Sequence, residues 1–240
     1  MRLRTLWMAT CLTTIAVTTP LAAADHKEEA RMRKFSAAYA KCVVRESHDR
    51  ASAAVLSTSN NTDVMSRFRE LVSPDCLQAA AGLGVDARFP AGTMQSALAD
   101  ALVNADFATH GEASFANRLP LAQPLAMTEA EKAEALAKAK SKRARDAAQL
   151  AAQRQALRAW LGRYGECVVR QDPEAARFWL LTPPDTPEEI SRIKALQPAF
   201  GACLGDGTMK FNRVTMRSTV ALNYYRLAMA TVVPGARSNP

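Results

Sequence analysis

The 240-residue chain has three histidines and ten glycines, and it carries no Cys-x-x-Cys pair, no Gly-x-Ser-x-Gly elbow and no glycine-rich phosphate loop. Each shortage removes a chemistry. No two of His26, His48 and His110 stand one helical turn apart, so a histidine-based metal site is not expected. The missing elbow and phosphate loop take away the two commonest signatures of acyl and phosphoryl transfer. No alternating strand pattern surrounds the cysteines, which argues against a thioredoxin-like redox pair. Few glycines and long alanine-rich stretches favour an all-α fold. No cofactor is expected.

The N-terminus reads as a secretory signal. The charged MRLR is followed by an apolar run from Leu6 to about Val17, then Pro20 and the small residues Ala22, Ala23 and Ala24 before Asp25. Cleavage after Ala24 would leave a periplasmic or secreted chain. A lipoprotein reading needs a small residue directly before a cysteine at the end of the apolar run, whereas Cys11 lies inside it. No later stretch approaches the roughly 18 uninterrupted apolar residues of a membrane span, so no transmembrane segment is expected after cleavage. The formal charge, +8 over the whole chain, loses only Arg2 and Arg4 with the signal and stays positive.

Setting Cys11 aside, four cysteines remain: Cys42, Cys76, Cys167 and Cys203. Four cysteines in an exported chain imply two disulfides with three possible connectivities. An internal repeat selects one. AKCVVRES (40–47) is echoed 125 residues later by GECVVRQD (165–172), and the echo extends backwards, with Met32, Phe35 and Tyr39 meeting Leu157, Trp160 and Tyr164. These positions and the cysteine form one helical stripe in both copies, so the cysteine faces the core. ELVSPDCL (70–77) answers ALQPAFGACL (195–204), and FPAGTMQSALADAL (89–102) answers FNRVTMRSTVALNY (211–224). Three colinear blocks describe a duplicated unit of about 75 residues. Each copy should then carry its own bridge, Cys42 to Cys76 and Cys167 to Cys203, worth roughly 3 to 4 kcal/mol apiece in the chain-entropy account. That is as much as a core of this size supplies, about 3 to 5 kcal/mol.

The organisation expected is a signal peptide (1–24), a first helical unit (25–106), a connection (107–127), a second helical unit (128–233) and a disordered tail (234–240). In the first unit helices are expected over 27–45, 50–56, 64–77 and 91–103. The second unit opens with a long basic helix from the Thr128 cap to about Gln171, its later half made amphipathic by Leu150, Leu157, Trp160, Leu161, Tyr164 and Val168. Asp172 caps a short helix with Pro173 at its first position. Thr186 starts another that runs toward Cys203, with a kink or restart at Pro198, and Asn212 caps the last helix.

Few residues invite a chemical role. Arg45 and Arg170 lie one turn past the cysteine in both copies, where they can bind an anion or complement the helix dipole; the dipole reading is the simpler. The acids of Pro187-Glu188-Glu189 are first-turn residues, explained by helix capping rather than general acid/base work. KAKSKRARD (138–146) places Lys138, Lys140, Lys142, Arg143 and Arg145 together, a candidate contact with an anionic envelope polymer or simply the solvated part of a helix. Nucleic acid is disfavoured as a partner, because no aromatics interleave with these bases.

CVVR followed by ARFWLLT, LQPAFGACL and MKFNRVTMRSTVALNYYRLA resembles exported helical proteins of alphaproteobacteria that carry a duplicated two-cysteine unit and have no assigned activity. The likeness covers the second unit well and the first loosely. Where those proteins usually have Arg-Gly in the final helix, this chain has Arg217 and Ser218, and its first copy has Gln95 and Ser96. The resemblance implies a helical, secreted protein and adds no chemistry. The reading favoured is a non-enzymatic module that binds a protein partner or an anionic envelope surface. The alternative is an envelope hydrolase or other enzyme with its site between the units, with Arg45, Arg170 and Arg217 as first suspects. Non-reducing peptide mapping is expected to recover the 42–76 and 167–203 linkages; a peptide joining Cys42 to Cys167 would overturn the duplicated-unit reading.

Overall fold

A computed structural model describes residues 21–57, 66–82, 93–111, 114–204 and 212–230. The expected cleavage site at Ala24 falls within the first helix, while residues 1–20 and the expected disordered tail lie outside the described residues. Among those residues the chain is all helical, with ten α-helices and no strand. They are α1 (Leu21–Glu46), α2 (His48–Leu56), α3 (Pro74–Ala81), α4 (Thr93–Asp106), α5 (Glu129–Lys138), α6 (Lys142–Gln171), α7 (Pro173–Leu181), α8 (Pro187–Ala195), α9 (Gln197–Leu204) and α10 (Arg213–Met229).

Short polar side chains followed by proline set three of the starts. Ser73, Asp172 and Thr186 accept from the backbone N–H of Cys76, Ala175 and Glu189 at 3.2, 2.9 and 3.2 Å, with Pro74, Pro173 and Pro187 at the first helical position. Proline suits that position, since its missing N–H would have had no intrahelical partner. Asn212 caps α10 by accepting from Thr215 N at 2.8 Å.

α4 and α10 pack against each other at the centre of the molecule. α1 covers α4 and reaches α3, while α6 covers α10 and reaches α9. The contacts merge into one hydrophobic core in which Phe35, Tyr39, Leu98, Leu102, Trp179, Tyr224 and Tyr225 are fully buried. The two halves are therefore packed together. Disulfides Cys42–Cys76 and Cys167–Cys203 tie α1 to α3 and α6 to α9. Beside each bridge a core tyrosine holds the same joint, Tyr39 Oη donating to Leu71 O at 2.6 Å and Tyr164 Oη to Phe200 O at 3.4 Å.

Three expectations are corrected. The long helix from Thr128 to Gln171 is broken: α5 stops at Lys138, Ala139 is extended, and Ser141 caps α6 by accepting from Ala144 N at 3.1 Å. α5 buries no residue and lies back against α6. Nothing in its weak periodicity favours continuing through clustered bases, and the break places Lys138 at a helix C-terminus, where its charge is favourable. On α6, Leu150 and Leu157 are 45% and 46% exposed, and the shielded row is instead alanine, with Ala152 and Ala159 buried. In the first half, the single helix expected over 64–77 is interrupted: Ser66 and Arg67 are helical, a 3-10 turn follows at Arg69–Leu71, and a new helix starts at Pro74, because proline cannot sit inside a helix. The connection also contributes to the core. Its Phe115 is fully buried, edge-on to Tyr224 at 5.4 Å.

α6 and α10 approach each other closely at Gly165. A Cβ there would collide with the Thr219 methyl and the Asn223 amide and lie 2.9 Å from Thr219 O. Because one of those neighbours is backbone, the helices would have to part. Gly165→Ala is expected to destabilise the fold by about 1 to 3 kcal/mol, read as a lower urea midpoint with an unchanged slope.

Candidate functional site

The seam between the halves holds a buried ion cluster that begins with Glu189. Thr186 starts α8 so that Glu189 falls in its first turn, pointing inward and fully buried. One carboxylate oxygen, Oε1, accepts from Arg33 Nη2 of α1 at 2.7 Å and from Arg217 Nη1 of α10 at 3.2 Å. The other, Oε2, accepts from the backbone N–H of Asp185 at 2.9 Å. Asp185 sits at φ 64°, a left-handed conformation that aspartate tolerates better than most residues. This turn lets its own carboxylate receive Arg33 Nη1 at 2.7 Å. Asp100 of α4 completes the cluster as a fork, Oδ2 and Oδ1 accepting from Arg217 Nε and Nη2 at 3.1 Å each.

Arg217 has a further duty. It donates to the carbonyls of Trp179 and Leu180 at 3.3 and 2.7 Å, the last turn of α7. Gln95 of α4 treats α2 in the same way, with Nε2 donating to Ala54 O at 2.8 Å and Ser57 O at 3.1 Å. Each central helix thus closes the C-terminal end of a short helix in its own half.

Electrostatics divides the two inner acids. Burial works against the ionised form of Glu189, but the Asp185 amide and the charges of Arg33 and Arg217 outweigh it and hold the carboxyl below its ordinary value. For Asp100 burial prevails over Arg217, and its carboxyl is raised.

Above this cluster opens a cleft of about 430 Å³ between α1, α4 and α10. Its walls include Met32, Ala37, Ala97 and Val214, its floor Arg33, Asp100 and Arg217, and Glu28 and Glu29 also line it. Both halves contribute.

Of the sequence-derived candidates, Arg217 alone lies in this cleft. Arg45 is 75% exposed at the end of α1, with Nη2 3.9 Å from Glu46. Arg170 braces the connection, donating to the carbonyls of Phe115 at 2.5 Å and Leu119 at 2.9 Å while pairing with Glu166 at 2.8 Å. Lys138, Lys140, Lys142, Arg143 and Arg145 are all exposed around the α5–α6 corner, Lys138 bridged to Glu134 and Lys142 to Asp146. Of the expected first-turn acids, Glu188 is exposed and pairs with Arg192 along its own helix, whereas Glu189 is the centre of the cluster. The cluster of possible metal donors at Cys42, Glu46 and Cys76 has both sulfurs in a disulfide. Arg33, Asp100 and Asp185 carry no local signature, since their partners lie far away in sequence.

The fold and site define an all-helical protein with two disulfides and a cleft of charged floor at its seam. Comparison with protein-family models, curated proteins and solved structures finds no match. The two disulfides suggest an oxidising, extracytoplasmic location. Among the described residues no helix is long and apolar enough to cross a membrane.

Removing Glu189 would leave two buried guanidinium groups without their shared partner. Glu189→Ala is expected to cost about 3 to 5 kcal/mol, measured by urea unfolding at neutral pH. The cost has a pH signature. A carboxyl held below its ordinary value contributes stability above that value and loses it as pH falls through the depressed one, so the gap between wild type and Glu189→Gln should narrow in acid. A gap independent of pH would show that the Glu189 charge has no part in it.

Proposed function

We propose that the chain is an exported, non-enzymatic binding module that takes a ligand in the cleft between two copies of a duplicated helical unit. The carrying observation is the position and make-up of that cleft: it opens where the halves meet, and its charged floor is neutralised largely from within the protein. Ser36, Ser96 and Ser218 supply hydroxyls, but among the described residues lining the cleft there is no histidine, lysine or cysteine to act as base or nucleophile. An arrangement of this size, apolar walls and few polar groups is what small-molecule recognition uses.

Duplication is supported by the matching disulfides and by the parallel duties of Gln95 and Arg217, which stand at corresponding places in the third repeated block. Export is supported by the N-terminal signal pattern and the disulfides. The exposed basic corner at 138–145 is the part of the molecule suited to an anionic envelope surface, a contact separate from the cleft.

The test is a thermal-shift screen of the oxidised protein against low-molecular-mass envelope extract from the producing cells. At least one fraction should raise the melting temperature, and the shift should vanish in Ala97→Phe, which fills the cleft. A shift of equal size in that variant, or none with any fraction, would contradict the reading.

A further inference from the structure

We propose that the cleft binds a small organic cation, an ammonium group on an apolar body, with the ammonium placed against the Asp100 carboxylate. The inference rests on the cleft being a ligand site and adds the chemical class of the ligand.

Hydrogen-bond capacity at the floor is lopsided. A guanidinium has five N–H donors, and those of Arg217 make five bonds: Nε to Asp100, Nη1 to Trp179 O and Glu189, and Nη2 to Asp100 and Leu180 O. Arg33 is engaged with Asp185 and Glu189, and only 7% of its side chain is exposed. An incoming carboxylate or phosphate would have to break one of the Arg217 bonds to use that residue, and the N–H groups that Arg33 does not spend on Asp185 and Glu189 are largely shut off by its burial. Asp100 is the reverse case. Each of its oxygens receives one bond from Arg217, and a carboxylate oxygen accepts two. Its side chain is 19% exposed and lines the cleft, so acceptor capacity faces the cavity.

Charge points the same way. The cluster sets two guanidinium groups against the three carboxylates of Asp100, Asp185 and Glu189, leaving one formal negative charge. Asp185 Oδ2 is buried with no hydrogen-bond partner among the described residues. Glu28 and Glu29 add negative charge to the lining. The upward displacement of the Asp100 carboxyl by burial agrees with a charge that Arg217 does not fully compensate. A cation arriving with its own donors would complete the set, while Met32, Ala97 and Val214 cover its apolar body.

Three probes of equal chain length separate the classes. Octylammonium, octanol and octanoate are titrated into the oxidised full chain by calorimetry, below their aggregation concentrations. Octylammonium should bind one to one and at least about tenfold more tightly than either of the others. Asp100→Asn should reduce its affinity to that of octanol. Ala97→Phe, which leaves the ion cluster intact, should abolish binding and so keeps the test valid if Asp100→Asn does not fold. Octanoate binding as tightly as octylammonium, or octylammonium binding unaltered in either folded variant, would overturn the proposal. Octanol binding as tightly as octylammonium, with both lost in Ala97→Phe, would overturn the cation while leaving the cleft as a ligand site. Failure of all three probes overturns the proposed class, and the extract screen then decides whether the cleft binds anything.

Discussion

The Glu189 carboxylate, held between Arg33 and Arg217, is the constraint on which the arrangement of this molecule depends. It belongs to α8, one guanidinium comes from the first helix and the other from the last, and Asp100 returns the chain of contacts to α4. A fully buried charge is tolerable only with partners in good geometry, so the two halves can dock in very few ways. The apolar contact of α4 with α10 supplies the driving force for docking, since burial is non-directional and rewards any close approach. The ion cluster supplies direction, because a shift along the seam would strand a charge. Replacing such a cluster wholesale by apolar side chains is often nearly neutral, whereas losing one member is costly. Its expected contribution is therefore to register more than to net stability.

Around this seam the halves are finished locally. Each disulfide closes a joint that a core tyrosine also holds, and each central helix caps a short neighbour through Gln95 or Arg217. The repeated arginine after the first cysteine of each pair has two different fates. Arg170 gathers the connecting segment by three carbonyls and thereby fastens Phe115 into the core beside Tyr224. Arg45, with no such segment to hold, remains at the surface. The same residue in the same local sequence becomes a brace in one half and a solvated helix end in the other, because only the second half has the connecting segment that precedes it lying across its arginine.

Much of this was legible from local patterns. The cysteine pairing, the serine, aspartate and threonine caps with their following prolines, and the stripe of Phe35, Tyr39 and Val43 all act within a few turns of helix or recur in the echoed stretches of sequence. What escaped is long-range. Arg33 meets its acids 152 and 156 residues away, and no spacing in a single helix announces that. Glu189 was visible only as a first-turn acid, a role that Glu188 beside it does play. The break between α5 and α6 escaped because alanine favours helix regardless of packing, so composition described the helix without showing where it had to turn. Leu150 and Leu157 misled for a related reason: periodicity marks a stripe without saying what covers it, and the covered positions are Ala152 and Ala159.

The cleft inherits its character from the cluster beneath it. Arg217 spends all five of its donors on docking, and Arg33 is buried against Asp185 and Glu189, so the Asp100 carboxylate is the acceptor left at the cleft. In the proposed function recognition and assembly use the same residues, and the cleft is lined from both halves, so they must remain docked for it to exist. Native-state hydrogen exchange under increasing denaturant tests that dependence most directly, by comparing the opening free energies of core amides in residues 98–103 of α4 and 220–227 of α10. A seam locked by the buried cluster predicts that both sets merge into one global unfolding reaction with a common free energy and slope. Separate isotherms, with one half opening while the other stays protected, would contradict it.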